Sequence, residues 1–347
     1  MYLNNLLIFF LLASLLGCGE SKTYHQKDFV FGTIIDIKIY GESEINATKV
    51  STEIFKEFHR LHKLLHPWEK SVITDINNAI SQKKSIAINN DEVISILTDA
   101  QNLEAITQSL FNPSIGKLIK LWGFHSNEYN QEVIPNPDTL KDLVSSKPSM
   151  KSIKIVKKVL ESSNHNNQID LGGYAKGYAL DQSKKILKKN NIKNALINIG
   201  GNILAFGKHG EREWIVGIQN PRKPNAIATV SLKPGWTIGT SGDYQRFIII
   251  NNQRYPHLIN PKTGYPENKT QSATILIPPS KNSGVLSDVF SKPLFIAKSE
   301  NKINIARLLN IEDFLIIMND DSIFISESLN NKINWEEDLD KKNIEIF

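Results

Sequence analysis

The chain of 347 residues has a single cysteine, Cys18, which excludes a disulfide framework. It also lacks a Gly-x-Gly-x-x-Gly motif after a predicted strand and a Gly-x-x-x-x-Gly-Lys-Ser/Thr motif, which excludes the common Rossmann and P-loop modes of nucleotide binding. The net charge is only +5, and the lysines are scattered instead of forming a basic stripe with aromatic side chains. We therefore expect no nucleic-acid partner.

Long apolar runs are also scarce, and the longest, LLIFFLLASLL at residues 6–16, is too short to span a bilayer, which takes about 20 residues. Its length is typical of a signal-peptide core. The segment Leu15-Leu16-Gly17-Cys18 at its end resembles the lipobox of bacterial lipoproteins. We expect residues 1–17 to be a signal peptide and residues 18–27 a linker lipidated at Cys18. The protein would then be a membrane-anchored lipoprotein that faces the periplasm, on the inner or the outer membrane.

The hydrophobic pattern predicts a mixture of helices and strands. Apolar residues recur at helical spacing over residues 45–65 and 91–110, and a third helix is predicted over residues 178–190. The predicted strands are 29–40, 195–199, 214–218, 228–232, 247–250 and 273–277, with a closing hairpin at 314–318 and 322–326.

Helices and strands follow one another without a regular β-α-β rhythm, so the fold class is α+β, with a mixed sheet packed against helices. We expect one domain over residues 28–329, built as two intimately joined subdomains around a cleft. Residues 330–347 are polar and are predicted to be a peripheral tail.

Three glycine clusters with polar neighbours are candidate ligand sites. The first, DLGGYAKGYALD from Asp170, directly precedes a predicted helix. Its glycines Gly172 and Gly173 let the backbone approach a ligand, a helix N-terminus offers N–H groups to an anion, and Lys176 adds a charge suited to phosphate. The other two are NIGGN from Asn198 and GTSGDY from Gly239.

Taken together and in order, these segments resemble the ApbE family, the FAD:protein FMN transferases. The matching segments are FGT from Phe31, Trp68 with Ser71 and Asn77, FNPSIG from Phe111, LWGF from Leu121, DLGGYAKGYALD from Asp170, INIGGN from Ile197, GIQNP from Gly217, TSGDYQRF from Thr240 and YPHLINPKTGYP from Tyr255. The resemblance covers most of residues 29–326 and implies an ApbE-like fold with a flavin in the cleft.

The resemblance implies a magnesium-dependent transferase, which splits FAD at its pyrophosphate, passes FMN to a Thr or Ser hydroxyl of an extracytoplasmic protein and releases AMP. The acceptors it implies are flavoprotein subunits of sodium-translocating NADH:quinone reductase-type or related electron-transfer complexes. It places Asp243 and His257 near the reacting phosphate, and His257 is the candidate for accepting the hydroxyl proton because an imidazole titrates near working pH. Magnesium would be held by Asp288 and the backbone of Gly173. The implied FAD-binding residues are Phe31, Trp68, Phe111, Asn112, Asp170, Gly172, Lys176 and Ser241.

The main departure from the family pattern is at its metal site, where an Asp is followed four residues later by a Thr that binds the metal; Phe31 in place of Met and Asn260 in place of Asp are milder departures. Here Lys292 stands at the Thr position relative to Asp288, and an ammonium group cannot ligate Mg²⁺. Lys292 could turn away so that Ser291 or water replaces the Thr, its charge could partly replace the metal, or the protein could have lost catalysis. Two alternatives to the transferase therefore stay open: an FAD pyrophosphatase that yields FMN and AMP, and a non-catalytic flavin-binding lipoprotein.

Other polar or aromatic residues have simpler interpretations. His59, His62 and His66 share one face of a predicted helix, but no Cys or acidic residue at metal spacing accompanies them, so a zinc site is not favoured. Trp122 is interpreted as a packing anchor. Asp181 could either face solvent or orient the glycine segment.

Overall fold

The computed structural model of the protein describes residues 22–126, 133–336 and 343–347. The predicted signal peptide and Cys18 lie outside these residues. In the described parts of the chain, no helix combines the length and the apolar character needed to cross a membrane.

Nine of the strands in the described residues form one mixed sheet, which is the frame of the fold. These strands are β1 (Thr23–Val30), β2 (Thr33–Tyr40), β6 (Asn194–Ile199), β7 (Asn202–Phe206), β10 (Thr237–Gly242), β13 (Thr270–Ile277), β14 (Asp313–Met318), β15 (Ile323–Ile325) and β17 (Ile344–Ile346). They lie in the order β1-β2-β6-β7-β10-β13-β14-β15-β17. Neighbours are antiparallel except β15 and β17, which are parallel.

Smaller sheets and the helices surround this frame. The remaining strands are β3 (Ile86–Ala87), β4 (Ile153–Val156), β5 (Val159–Ser162), β8 (Trp214–Gln219), β9 (Ala226–Leu232), β11 (Phe247–Ile250), β12 (Gln253–Pro256) and β16 (Ile333–Trp335). The helices are α1 (Glu44–Leu65), α2 (Val72–Ser81), α3 (Asp91–Ile106), α4 (Gly116–Leu121), α5 (Pro137–Ser145), α6 (Gly172–Lys189), α7 (Ser283–Ile296), α8 (Lys302–Leu308) and α9 (Glu327–Asn330).

Both faces of the main sheet are covered, which its side-chain alternation explains. In β13, Ala273 and Ile275 pack into the apolar cluster that contains α7, whereas Leu276 packs into the cluster of the β16-β9-β8 sheet. In β14, Phe314 packs into the first of these clusters and Leu315 into the second. Successive residues of a strand point to opposite faces, so these strands are apolar on both sides. The predicted α+β class, with a mixed sheet packed against helices, is confirmed.

The predicted strand over residues 29–40 is instead a hairpin, β1-β2. Phe31 and Gly32 form its two-residue turn with φ angles of 56° and 71°. Two consecutive positive φ angles match the twist of an antiparallel pair but break a continuous strand. β1 begins at Thr23, so the segment predicted to be a linker already belongs in part to the sheet.

The third predicted helix begins six residues earlier than expected, because α6 starts at Gly172. The glycine segment is therefore the first turns of a helix, not a loop that precedes one. The C-terminal segment is also more structured than predicted. In it, β16 pairs with β9 and β17 pairs with β15.

Candidate active site

The beginning of α6 is held in place by a buried amide. Asn77 on α2 accepts a hydrogen bond from the backbone N–H of Ile169 at 2.6 Å and donates one to its carbonyl at 2.9 Å. Asp170 follows directly and accepts the N–H of Gly172 at 2.7 Å. Burial raises the pKa of Asp170, although the Gly172 hydrogen bond and the charge of Arg246 oppose this. These contacts place an acidic side chain at the N-terminus of α6.

Helices α6 and α7 cross so closely that glycine is required on both. A Cβ on Gly177 would lie 2.3 Å from the carbonyl oxygen of Gly284, and one on Gly284 would lie 2.4 Å from the carbonyl oxygen of Gly177. Asp181 bonds the N–H groups of Gly284 and Val285, both at 2.9 Å. It is only 6 % exposed. Asp181 therefore does not face solvent, and it fixes the beginning of α7 against α6.

The close crossing brings Asp288 of α7 to the first turns of α6. Asp288 is 1 % exposed, and its Oδ2 accepts the N–H of Gly177 at 3.0 Å. Lys292 Nζ donates to Asp288 Oδ1 at 2.7 Å and to its backbone oxygen at 2.6 Å. Lys176 Nζ lies 3.7 Å from the same Oδ1. Burial acts to raise the pKa of Asp288, but Lys176 and Lys292 together hold it below its ordinary value.

The two predicted magnesium ligands, Asp288 and Gly173, do not fit a divalent ion in this arrangement. Lys292 does not turn away, because its ammonium group contacts the carboxylate that would bind the ion. Its side chain also passes so close to Gly173 that a Cβ there would lie 2.6 Å from Lys292 Cε. Among the described residues, no group of three His, Cys, Asp or Glu side chains could hold a metal. Mg²⁺ requires oxygen ligands and is repelled by an ammonium group at this range.

His257 provides a neutral imidazole close to these charges. Its Nδ1 lies 3.1 Å from the carbonyl oxygen of Arg246. A carbonyl oxygen can only accept, so Nδ1 carries the proton and Nε2 keeps a lone pair. Burial lowers the pKa of His257 to about 3, and the charges of Arg246, Lys176 and Lys292 act in the same direction. The imidazole is therefore neutral at pH 7 and can accept a proton at Nε2.

Asp243, the second predicted catalytic residue, is held in an ion pair. Arg222 donates to both of its carboxylate oxygens, at 2.7 and 2.6 Å, and Arg254 lies 3.7 Å away. Two-point pairing of this kind fixes the guanidinium and carboxylate planes. In this structure Asp243 positions Arg222 and is not a free proton acceptor.

The predicted flavin-binding aromatics differ in their accessibility. Trp68 is partly exposed and its ring meets His125 edge-on at 5.5 Å. It lies on a turn held by His66 Nδ1, which accepts the N–H groups of Trp68 and Glu69. Phe31 is also partly exposed and packs edge-on against His62 at 5.6 Å. Both rings are therefore partly accessible to a ligand.

Three other predicted FAD-binding residues are used by the fold itself. Phe111 is 4 % exposed and lies in the apolar core. The amide of Asn112 donates to the carbonyl of Pro148 and accepts the N–H of Ser114, both at 2.8 Å. Ser241 is buried, and its hydroxyl bonds that of Ser291 at 2.8 Å. These contacts give each of the three side chains a role in the fold, and their predicted contact with FAD stays a prediction.

The ApbE family pattern matches residues 31–315 of this chain. The chain belongs to the ApbE family. It is 30% identical over 305 residues to a Rhodobacter capsulatus protein named FAD:protein FMN transferase, covering 88% of this chain but only 57% of that protein. A Haemophilus influenzae protein of the same name is 28% identical over 327 residues, with 91% of this chain and 92% of that protein covered.

A solved structure supports the ApbE-like architecture. The crystal structure of the ApbE protein from Thermotoga maritima superposes with a TM-score of 0.81 at 27% identity, covering 91% of this chain and 100% of that one. The predicted family and its fold are both confirmed.

Two arginines of this ApbE-family site were not predicted from the sequence. Arg246 donates to the carbonyl of Phe124 at 2.9 Å, and its charge acts on both Asp170 and His257. Arg222 holds Asp243. Arg222 directly follows the GIQNP segment and Arg246 lies within TSGDYQRF, so their positions in or beside family segments were the available signal. The structure also confirms Trp122 as a packing anchor, fully buried with Nε1 donating to Gly264 O at 2.8 Å.

Proposed function

We propose that this protein transfers FMN from FAD to a Thr or Ser hydroxyl of an acceptor protein and releases AMP. The observation that carries the proposal is the pair of ammonium groups on the Asp288 carboxylate, Lys176 at 3.7 Å and Lys292 at 2.7 Å, whose charges reach the neutral imidazole of His257. Phosphoryl transfer depends on positioning and on neutralising phosphate charge, and both requirements are met by such a group. The class of enzyme, a transferase, is that of the curated relatives, which are named FAD:protein FMN transferase.

In the proposed reaction, the acceptor hydroxyl oxygen attacks the phosphorus of the FMN half of FAD. A new oxygen–phosphorus bond forms, the bond from that phosphorus to the bridging oxygen breaks, and AMP leaves with the bridging oxygen. His257 Nε2 takes the hydroxyl proton. Lys176 and Arg246 hold the diphosphate, and Asp170 orients the first turn of α6 through Gly172. Water in place of the hydroxyl would give the FAD pyrophosphatase alternative.

The test is incubation of the purified protein with FAD and an isolated flavoprotein subunit of a sodium-translocating NADH:quinone reductase, which we propose as the acceptor class. AMP release and the mass of the acceptor are measured together. A mass gain of one FMN group per acceptor is the expected result. AMP without this gain would favour hydrolysis, and absence of both products, with or without Mg²⁺, would contradict an enzymatic function.

Trp68→Ala is expected to weaken FAD binding about fivefold to 150-fold, because stacking of an aromatic side chain on a flat base contributes about 1–3 kcal/mol. Fluorescence titration with FAD measures the change. Trp335→Ala is the matched control, since Trp335 is also partly exposed but lies on β16, in the separate three-stranded sheet. Equal affinities for the Trp68 variant and the wild type would remove Trp68 from the flavin site.

The burial of neutral His257 predicts a pH dependence of stability. The folded-state pKa is about 3 and the ordinary value is 6.5, so the unfolded chain binds a proton first as the pH falls. The free energy of unfolding should therefore drop by up to about 1.4 kcal/mol per pH unit below pH 6.5 because of this group. Urea unfolding at several pH values should show a shallower slope for His257→Gln than for the wild type. Parallel slopes would mean that His257 is not held neutral.

We also propose that the protein is a lipoprotein anchored through Cys18 and facing the periplasm. The support is the apolar run at residues 6–16, which is followed directly by Gly17-Cys18. Labelled palmitate should enter the wild type in a bacterial host and should not enter Cys18→Ala. Label in that variant would contradict the assignment.

A further inference from the structure

The ammonium group of Lys292 is held by specific hydrogen bonds within the candidate active site. It bonds both the carboxylate and the backbone oxygen of Asp288, and its side chain is only 14% exposed. The stem of Lys292 runs alongside Gly173, in space that a Cβ would fill. A lysine held in this way is ordered and is not a mobile surface group; burial lowers the pKa of Lys292, and the Asp288 carboxylate opposes this by favouring the ammonium form.

This charge lies where it can act on the reaction. Lys292 and Lys176 share the Asp288 carboxylate, and both charges reach the imidazole of His257. Lys176, Lys292 and Arg246 outnumber the carboxylates of Asp288 and Asp170, which leaves a net positive charge next to the N-terminus of α6. A diphosphate carries negative charge that such a group can neutralise.

A divalent ion at Asp288 would have to displace Lys292 from its only carboxylate partner among the described residues. The displaced ammonium would then remain buried beside the ion, since Gly173 and α7 hold its stem. Both the repulsion and the loss of the ion pair act against metal binding.

We infer that the Lys292 ammonium, held by Asp288, supplies the positive charge that a divalent metal would otherwise bring to the diphosphate of FAD, so that FMN transfer proceeds without a bound metal. This inference rests on the proposed transferase function. Lys292 contacts the phosphate oxygens and exchanges no proton. The bonds that form and break are those of the transfer reaction itself.

The first measurement compares AMP release and acceptor flavinylation by the wild type in excess EDTA and in excess Mg²⁺. We expect the two rates to agree within about twofold. Lys292→Met should lose about a hundredfold or more under both conditions, because it keeps the stem but removes the charge. Lys292→Thr should be inactive in EDTA and recover with Mg²⁺. Lys281→Thr, an exposed lysine just before α7, is the control and should behave as the wild type.

The second measurement is Mn²⁺ binding in the presence of FAD, detected by electron paramagnetic resonance. This measurement requires no turnover. We expect no binding to the wild type and one site in Lys292→Thr. Stoichiometric Mn²⁺ on the wild type, absence of a site in Lys292→Thr, or loss of wild-type activity in EDTA with recovery in Mg²⁺ would each overturn the inference. If no AMP forms under any condition, the proposed function fails, and Mn²⁺ binding alone still decides whether Lys292 replaces the metal.

Discussion

Asp288→Ala is expected to reduce FMN transfer at least about a hundredfold and to lower the free energy of unfolding by about 3–5 kcal/mol. The carboxylate is buried and pairs with Lys292 and Lys176. Its removal leaves the Lys292 ammonium buried without a counter-charge, which is the main cost. FAD should still bind, because Trp68 and Arg246 are unchanged. Urea unfolding, AMP release and FAD titration measure the three effects separately.

Two further variants separate stability from chemistry. Asp288→Ala combined with Lys292→Met should recover at least half of the lost stability but none of the transfer, since the more buried of the two ammonium groups is removed with the carboxylate and only Lys176, which is 23% exposed, loses its partner. Asp313→Ala breaks another ion pair of a buried carboxylate, in β14, whose partner Lys332 lies 2.6 Å away and has a partly exposed side chain. It should lose stability and keep the specific activity of the folded fraction. Transfer by Asp288→Ala at the wild-type rate would remove this residue from the site.

Gly177→Ala is expected to lower the free energy of unfolding by about 3 kcal/mol or more, at the upper end for overpacked cores. The added Cβ would meet the carbonyl oxygen of Gly284 at 2.3 Å and the Cα of Val285 at 2.7 Å. These are backbone atoms and cannot rotate away, so α6 and α7 must separate. Transfer should fall at least about tenfold as well, because the Gly177 N–H holds Asp288.

The control for Gly177→Ala is Lys188→Ala, an exposed position on the same helix. It should change stability by less than about 0.5 kcal/mol. Chemical unfolding of the three proteins side by side gives the comparison. A Gly177→Ala protein as stable as the wild type would mean that the two helices tolerate a wider spacing than the structure has.

The elements with strong apolar periodicity were predicted well from the sequence. Helix α1 was expected over residues 45–65 and occupies Glu44–Leu65, with Val50, Ile54 and Phe58 fully buried. The hairpin β14-β15 was also predicted. Helical and strand periodicities are local, so a single sequence reports them directly.

The beginning of α6 was mispredicted for a physical reason. Glycine has a low helix propensity, so Gly172, Gly173 and Gly177 favoured a loop. In the structure Gly177 is required by a contact outside the helix, with the backbone of α7, and Gly173 lies against the side chain of Lys292. The turn at Phe31 was missed because a Phe with positive φ is uncommon, and the hairpin twist imposes that angle.

The sequence by itself determined the family, the order of the polar segments and the presence of Lys292 four residues after Asp288. It left open whether that lysine turns away, replaces the metal or marks a lost activity. Only the tertiary structure decided that Lys292 contacts Asp288, that Arg222 pairs with Asp243 and that His257 is neutral. The Lys292–Asp288 contact lies within α7. The Arg222–Asp243 pair and the neutral state of His257 depend on burial and on charges brought together from separate parts of the chain. The direction of a side chain and its exposure to water are properties of packing, and no local pattern encodes them.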